Sequence, residues 1–251
     1  MSDIATSRIE MPDGVSLAVH RMGEGQPAVL LHGLFSTAEM NWVRFGHAAK
    51  LVDAGFECVM PDLRAHGASD APHDAAAYPE DVLVRDTLAL VEALDLETYD
   101  LVGFSLGART AVRSVLAGLE PRRLVLGGMG LEGLAGWDRR AGFFIDAIDR
   151  YDQIKRGDPA FMAKSFMKSM KVDRVAARLL LQSVDDTPPD ALSGVTMPTA
   201  CVCGVDDTDN GSAPALAQAL PDGTYIEVPG THMSSVAEPA MGRAIASFLT
   251  A

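Results

Sequence analysis

Gly103-Phe104-Ser105-Leu106-Gly107 is the most informative segment of this chain. It follows the short apolar run at 99–102, and a Gly-x-Ser-x-Gly pentad after a strand is typical of a sharp turn from strand into helix. In such a turn the serine adopts a strained backbone conformation with its hydroxyl above the sheet, and glycine is the residue that fits on either side. Two glycines around a serine also occur in ordinary loops. The remaining sequence therefore has to distinguish a turn from a loop.

Short apolar runs alternate with helical patterns on both sides of the pentad. The runs predict strands at 28–31, 56–60, 99–102, 123–126, 199–202 and 225–228. The helical patterns cover 38–54, 81–94, 106–119, 213–220 and 239–249. An antiparallel hairpin at 4–10 and 15–22 is predicted before them, around the turn at 11–14. This alternation predicts an α/β fold whose mostly parallel sheet is covered by helices on both faces.

The alternation stops between 130 and 195, where the chain is rich in helix patterns. We therefore expect a core formed by 1–130 and 192–251, with a helical cap at 131–191 over the carboxyl edge of the sheet. Within the cap, Met162, Phe166 and Met170 recur at four-residue spacing and predict an amphipathic helix. Its apolar face either lines a substrate pocket or packs the cap onto the core. The predicted substrate contacts are Phe35, Phe104, Met162 and Phe166.

Composition limits the classes of partner. The 251 residues include 34 acidic and 21 basic side chains, a formal charge of −13, so the phosphate backbone of nucleic acids would be repelled. With 48% hydrophobic and 22% charged residues, the chain can bury a large core. No apolar run approaches the ~20 residues that span a bilayer, and no export signal is recognisable at the start. We expect no nucleic-acid or membrane partner, and a monomer or homodimer.

The three cysteines, Cys58, Cys201 and Cys203, lie in apolar strand-like segments. Buried, reduced thiols of a cytoplasmic protein explain them best. Cys201 and Cys203 would point to the same face of a strand, but no further ligand is near them in the sequence. We therefore predict no metal site.

Ser105 needs a base and an orienting acid before its hydroxyl can act as a nucleophile at neutral pH. His232 follows the last strand-like run, on a predicted loop from which its side chain can reach the serine. After the preceding strand, 206–209 contains three carboxylates, of which Asp207 is the predicted acid and Asp206 the second choice. Glu132 is a third candidate, because a carboxylate after the strand that ends near Leu126 could also reach the same histidine.

Two further loops follow predicted strands. At His32-Gly33-Leu34-Phe35 a turn can aim the Leu34 N–H, together with that of Leu106, at a developing oxyanion, and His32 is expected to be structural. The loop at 61–69 is dense in polar groups. There we expect Asp62 and Arg64 to form a partly buried ion pair, and His66 is the only competitor of His232 for the role of base.

Taken in order, these motifs resemble the α/β-hydrolase superfamily, in its branch of small serine esterases. The matching segments are His32-Gly33, the loop Asp62-x-Arg64-x-His66-Gly67-x-Ser69, the pentad, Gly204-x-x-Asp207 and Gly230-x-His232. The resemblance covers the whole core and implies an eight-stranded sheet, a lid after the sixth strand and no cofactor. Ala65 and Ala108 stand where many relatives have glycine, and no proline follows the predicted acid.

The activity implied is hydrolysis of a small ester through an acyl-enzyme, with Ser105 as nucleophile, His232 as base, Asp207 as acid and Leu34 and Leu106 as oxyanion donors. Serine at the centre of the pentad argues against the haloalkane dehalogenases and epoxide hydrolases, which need a carboxylate nucleophile. Two alternatives stay open. One is carbon–carbon bond or lactone hydrolysis with the same triad, and the other is a ligand sensor with little turnover.

Overall fold

The eight predicted strands form one sheet in the computed structural model, which describes residues 3–251. They are β1 (Ile4–Glu10), β2 (Ser16–Met22), β3 (Gln26–Leu31), β4 (Phe56–Pro61), β5 (Asp100–Phe104), β6 (Leu124–Gly127), β7 (Thr199–Gly204) and β8 (Gly223–Val228). Their spatial order is β1-β2-β4-β3-β5-β6-β7-β8. Only the β1–β2 and β2–β4 pairs are antiparallel, so the predicted α/β fold with a mostly parallel sheet is confirmed.

Apolar side chains on both faces of the central strands divide the core into two layers. In β3, Val29 and Leu31 pack on one face and Ala28 and Leu30 on the other, and all four are fully buried. Because the strands are buried on both faces, their sequences are continuous apolar runs rather than alternating apolar and polar residues.

Within residues 3–251, ten α-helices surround the sheet. They are α1 (His47–Asp53), α2 (Val82–Ala93), α3 (Leu106–Leu116), α4 (Leu131–Leu134), α5 (Trp137–Asp149), α6 (Phe161–Ser169), α7 (Arg174–Ser183), α8 (Ala213–Ala219), α9 (His232–Ser235) and α10 (Pro239–Thr250). Short 3-10 turns occupy Ala75–Ala77 and Pro189–Gly194. The buried faces of α1 and α10 cover one side of the sheet, and those of α2, α3 and α8 cover the other.

The helix-rich segment between β6 and β7 contains α4 to α7. Its buried side chains, among them Trp137, Met167 and Leu180, belong to the same apolar cluster as α3. α7 begins where the Asp173 carboxylate accepts hydrogen bonds from the N–H groups of Val175 and Ala176, as a helix N-cap does. The boundaries of a separate cap at 131–191 stay a prediction.

One predicted helix is wrong. Instead of a single helix over 38–54, a π-helical turn at Glu39–Val43 is followed by α1. Gly46 separates the two with a φ of 73°, in the left-handed region that a continuous helix cannot contain. The apolar periodicity is similar on both sides of this break, so the pattern alone did not reveal it.

Candidate active site

Ser105 lies at the junction of β5 and α3, with φ 53° and ψ −111°. A side chain on Gly103 would place its Cβ 2.2 Å from the carbonyl oxygen of Gly107, and one on Gly107 would lie 2.1 Å from that of Leu31. No side chain can occupy such space, which gives a physical reason for both glycines of the pentad. The serine is held in the strained conformation of a strand-to-helix turn.

The structure brings the three predicted triad residues into hydrogen-bond contact. His232 Nε2 lies 3.0 Å from Ser105 Oγ, and His232 Nδ1 lies 2.9 Å from Asp207 Oδ2. An ionised carboxylate only accepts hydrogen bonds, so Nδ1 carries the proton and Nε2 presents its lone pair to the serine hydroxyl. This is the arrangement in which a histidine can act as general base.

Close backbone packing holds the acid and base loops together. A Cβ on Gly204, at the end of β7, would lie 2.1 Å from the carbonyl oxygen of Gly230, which has a φ of 102°. His232 is the first residue of α9 rather than a loop residue, and Thr231 caps this helix reciprocally with Ser234. The imidazole therefore projects from an anchored helix start.

The Asp207 side chain is only 1% exposed and has several partners. Burial alone would raise the pKa of its carboxyl, but His232, the Asp209 N–H and the Cys203 thiol hold that pKa below its usual value. The Asp209 N–H donates to Oδ1 at 3.1 Å, and Cys203 Sγ lies 3.4 Å from Oδ2. Burial and the neighbouring Asp207 charge raise the pKa of the Cys203 thiol, so it faces the carboxylate as a neutral donor.

The other acid candidates lie elsewhere. Asp206 is exposed, and it contacts Gly230 only through its backbone N–H. Glu132 is also exposed, and its carboxylate accepts the Ser212 N–H at 2.8 Å. Neither carboxylate contacts His232 among residues 3–251, so the geometry favours Asp207.

The two amides predicted as oxyanion donors border the same cavity as Ser105. Their neighbours are occupied: the Gly33 N–H donates to Asn41 Oδ1 at 3.1 Å, and the Phe35 N–H donates to His66 Nε2 at 3.0 Å. In the described chain, neither the Leu34 nor the Leu106 N–H donates to a protein acceptor. The turn is thus fixed on both sides of Leu34 while its own amide stays available.

His66 and His32 are structural rather than catalytic in this geometry. His66 Nδ1 donates to the Arg64 carbonyl oxygen at 2.9 Å while Nε2 accepts from Phe35, a pattern only the neutral ring can make. Burial lowers the pKa of His66 to about 3. His32 is also buried, and burial lowers its pKa, with Nδ1 donating to the Gly33 carbonyl oxygen at 2.8 Å. His66 contacts the oxyanion turn instead of Ser105, a role that the sequence did not suggest.

The predicted ion pair between Asp62 and Arg64 is wrong. Arg64 pairs with Asp86, at 2.6 Å, and with Asp13, also at 2.6 Å. The Asp62 carboxylate instead accepts the N–H groups of Ala38, at 2.8 Å, and of Ala68, at 2.9 Å, together with a His20 ring contact. The two side chains serve different networks because Asp62 closes the turn while Arg64 reaches distant segments.

The four predicted substrate contacts do not line the cavity at Ser105. Met162 is 74% exposed, which places it on the outer surface of α6, because Met167 supplies the buried side of that helix. Phe166 is partly buried against the core, and the ring of Phe35 packs on Phe144. The ring of Phe104 packs against that of His232, with 5.2 Å between the ring centroids.

The walls of the cavity come from residues that the sequence did not single out. Around Ser105, Leu34 and Leu106, they are Arg109, Met129, Trp137, Arg140 and Asn210. This inner cavity of about 10 Å³ has room for roughly one water. A wider outer cavity of about 480 Å³ adjoins it and shares Arg140 and Asn210. Any larger group bound beside Ser105 would therefore require movement of the inner wall.

Residues 3–251 also bear on metal binding and membrane insertion. No group of three or more His, Cys, Asp or Glu side chains is placed to hold a metal ion. Among the helices of the same residues, none has both the length and the apolar character needed to cross a bilayer.

Comparison with known proteins agrees with this architecture. A family profile described as alpha/beta hydrolase fold matches residues 27–123, which include the oxyanion turn and the pentad. An esterase from Exiguobacterium antarcticum superposes with a TM-score of 0.79 at 18% identity, covering 98% of this chain and 100% of that one. The chain has the α/β-hydrolase fold.

Other α/β hydrolases extend the comparison. The enol-lactonase of Burkholderia xenovorans has a TM-score of 0.78 at 22% identity, with 98% of this chain and 100% of that chain covered. An epoxide hydrolase of Caballeronia sordidicola is 34% identical over 114 residues, which are 45% of this chain but only 32% of that enzyme. The sequence match thus spans about a third of that relative, and the structural matches establish the fold alone.

Proposed function

We propose that this α/β hydrolase is a serine hydrolase that cleaves small carboxylic esters through an acyl-enzyme on Ser105. The observation that carries the proposal is the hydrogen-bonded chain from Ser105 Oγ through His232 to Asp207, with distances of 3.0 and 2.9 Å. Packing of the core requires neither this order of residues nor their contact. Catalysis by a nucleophile, a base and an orienting acid requires both.

The proposed reaction has two steps. His232 Nε2 removes the Ser105 proton as Oγ attacks the ester carbonyl carbon, and the carbonyl electron pair moves to oxygen. The Leu34 and Leu106 amides donate to this oxyanion, each contributing about 3 to 4 kcal/mol to transition-state stability. When the intermediate collapses, the C–O bond to the alcohol breaks and His232 returns the proton to the departing oxygen.

Water completes the cycle. His232 deprotonates a water that attacks the acyl carbon, the ester bond to Ser105 breaks, and the serine recovers its proton as the carboxylic acid leaves. Asp207 keeps the Nδ1 proton in place and stabilises the imidazolium in both steps. Burial of its carboxylate away from bulk water strengthens this interaction.

A serine nucleophile also argues against epoxide hydrolysis, the activity named for the Caballeronia sordidicola relative. Attack of a serine oxygen on an epoxide would leave an ether, which water cannot release, whereas a carboxylate nucleophile leaves a hydrolysable ester. The similarity to that relative is therefore assigned to the shared scaffold rather than to shared chemistry.

We place the reaction under a cap of residues 131–191, because Trp137 and Arg140 of α5 border the cavity at Ser105. A cytoplasmic location is part of the proposal. It is supported by three buried cysteines that are free thiols, the state expected in a reducing compartment.

Hydrolysis of 4-nitrophenyl acetate and butyrate by the wild type and Ser105→Ala tests the proposal. Loss of the nucleophile is expected to lower kcat by at least about 10⁴-fold. Ser193→Ala is the matched control, because it removes an exposed hydroxyl that bonds only the Asp190 carbonyl oxygen. If Ser105→Ala keeps most of the activity, Ser105 is not the nucleophile.

Three further measurements test the serine and separate the alternatives. Labelling by a neutral fluorophosphonate, lost in Ser105→Ala, reports an activated serine independently of the substrate. Many turnovers per enzyme molecule argue against a ligand sensor, whereas a single turnover favours it. A panel of lactones compared with open-chain esters then tests whether the cyclic electrophile is preferred.

A further inference from the structure

Arg140, on α5, borders both cavities of the site. It lines the inner cavity together with Ser105 and the outer cavity beyond it. Its side chain is partly buried, and it makes one hydrogen bond, from Nη1 to the Asp209 carbonyl oxygen at 2.9 Å. Within residues 3–251, its other N–H groups have no hydrogen-bond acceptor and its charge has no carboxylate in ion-pair contact.

Arg109, the other arginine in the inner wall, differs in this respect. Its guanidinium donates to the carbonyl oxygens of Leu134 and Asp185, both at 3.0 Å, and pairs with Asp186 at 3.3 Å. It also lies over the Trp137 ring at 4.9 Å. These contacts occupy its donors and tie α3 to the cap, so Arg109 has a structural explanation within the chain. Within the described part of the chain, Arg140 has only its one hydrogen bond and a contact of its guanidinium with the Phe144 ring, at 5.8 Å, and no carboxylate partner.

A partly buried guanidinium without a carboxylate partner is energetically unfavourable. Burial lowers the pKa of Arg140, while the nearby charges of Asp209 and Asp207 act in the opposite sense without contact. Of the two carboxylates bordering the outer cavity, Glu132 accepts the Ser212 N–H, and Asp209 offers Arg140 only its backbone. The remaining N–H groups of the Arg140 guanidinium are therefore available to an anion that enters the cavity.

We propose that Arg140 binds a carboxylate of the substrate, so that the enzyme prefers small esters that bear a carboxylate near the scissile bond. The planar guanidinium suits a carboxylate because two parallel N–H groups can donate to its two oxygens. The preference is unexpected for a chain of charge −13, which repels anions over most of its surface. This inference rests on the proposed serine hydrolase function.

The carboxylate can belong to either half of the ester, and two pairs of substrates separate these cases. Mono-4-nitrophenyl glutarate against 4-nitrophenyl butyrate tests the acyl side. Sodium 4-acetoxybenzoate against methyl 4-acetoxybenzoate tests the alcohol side. Assays in 0.3 M NaCl screen the long-range field of the protein and leave the direct contact.

Arg140→Gln is expected to raise KM for the preferred carboxylate ester by about 10- to 100-fold, with little change for its neutral partner. Arg140→Lys should reverse part of this rise in KM, because lysine keeps the positive charge but lacks the two parallel N–H donors of a guanidinium. Arg85→Gln, which removes an equal charge from the exposed side of α2, is the control and should leave both members of each pair unchanged.

Glutarate as an inhibitor gives a second readout: it should compete with substrate in the wild type and bind at least about tenfold more weakly to Arg140→Gln. If Arg140→Gln does not fold, the inference is tested by the preference of the wild type within each substrate pair and by glutarate competition. Equal kcat/KM within both pairs, without glutarate inhibition, overturns the inference while neutral-ester turnover and fluorophosphonate labelling leave the serine hydrolase intact. Absence of both turnover and labelling overturns the proposed function itself.

Discussion

Replacing Asp207 by asparagine tests the acid of the proposed triad. The carboxylate accepts from His232 Nδ1 through Oδ2 and from the Asp209 N–H through Oδ1. In Asp207→Asn, the amide oxygen is expected to stay opposite the Asp209 N–H, which places the NH₂ group opposite Nδ1. Two donors cannot face each other, so the histidine shifts its proton to Nε2.

That tautomer places an N–H, rather than a lone pair, 3.0 Å from Ser105 Oγ and removes the general base. The expected loss in kcat is about 10⁴-fold, or about 5.4 kcal/mol of transition-state stabilisation. The geometry of the cavity should be retained because asparagine has nearly the same volume as aspartate. KM for 4-nitrophenyl acetate is thus expected to change little.

Steady-state hydrolysis of 4-nitrophenyl acetate by the wild type, Asp207→Asn and Asp206→Asn provides the assay. Asp206 is the matched control, since its side chain is exposed and its contact with Gly230 uses only the backbone. Circular dichroism and urea unfolding establish that each variant is folded. The assignment of the acid is refuted if kcat falls by less than about tenfold in Asp207→Asn, or if it falls more in Asp206→Asn than in Asp207→Asn.

Three further substitutions test the surroundings of the site. In Gly128→Ala a new Cβ lies 3.1 Å from His232 Cε1 at a φ of 58°, so kcat should fall by about 10- to 100-fold, and an unchanged kcat contradicts this packing. Because the pKa of His66 is lowered from 6.5 to about 3, the unfolded chain binds the extra proton, and stability is lost as the pH falls through that window. Urea unfolding should show a slope of up to about 1.4 kcal/mol per pH unit that His66→Gln reduces, whereas equal slopes disprove a neutral buried ring. Cys203→Ala removes one weak donor to Asp207 and should lower kcat by less than about threefold, so a much larger loss would reveal a greater role for the thiol.

The strands were predicted well because their signal is local. Buried parallel strands appear as short apolar runs between turns, and the predicted run at 56–60 differs from β4 by one residue. The helix over 38–54 was wrong because its break depends on the conformation of Gly46, which apolar periodicity does not report. A glycine inside a helical pattern is compatible with both outcomes.

The polar partners were harder to predict because they depend on contacts distant in sequence. Arg64 is two residues from Asp62, yet it pairs with Asp13, 51 residues away, and with Asp86, 22 residues away. Likewise, helical spacing identified α6 as amphipathic, but Met162 is exposed and Met167 is buried. The periodicity predicts a helix with an apolar face, whereas the direction of that face depends on how α6 packs against the rest of the chain.

The triad residues and Arg140 differ in what brings them to the site. Ser105, Asp207 and His232 follow β5, β7 and β8, whose carboxyl ends lie at one edge of the sheet, so strand order alone places them close together. Glycines at the strand ends let these backbones approach, which is why spacing motifs in the sequence indicate the triad. Arg140 reaches the site on a helix inserted between β6 and β7, and no strand end fixes its position. The proposed chemistry is therefore indicated by residues of the core, whereas the proposed substrate preference depends on Arg140, which can change without altering the triad.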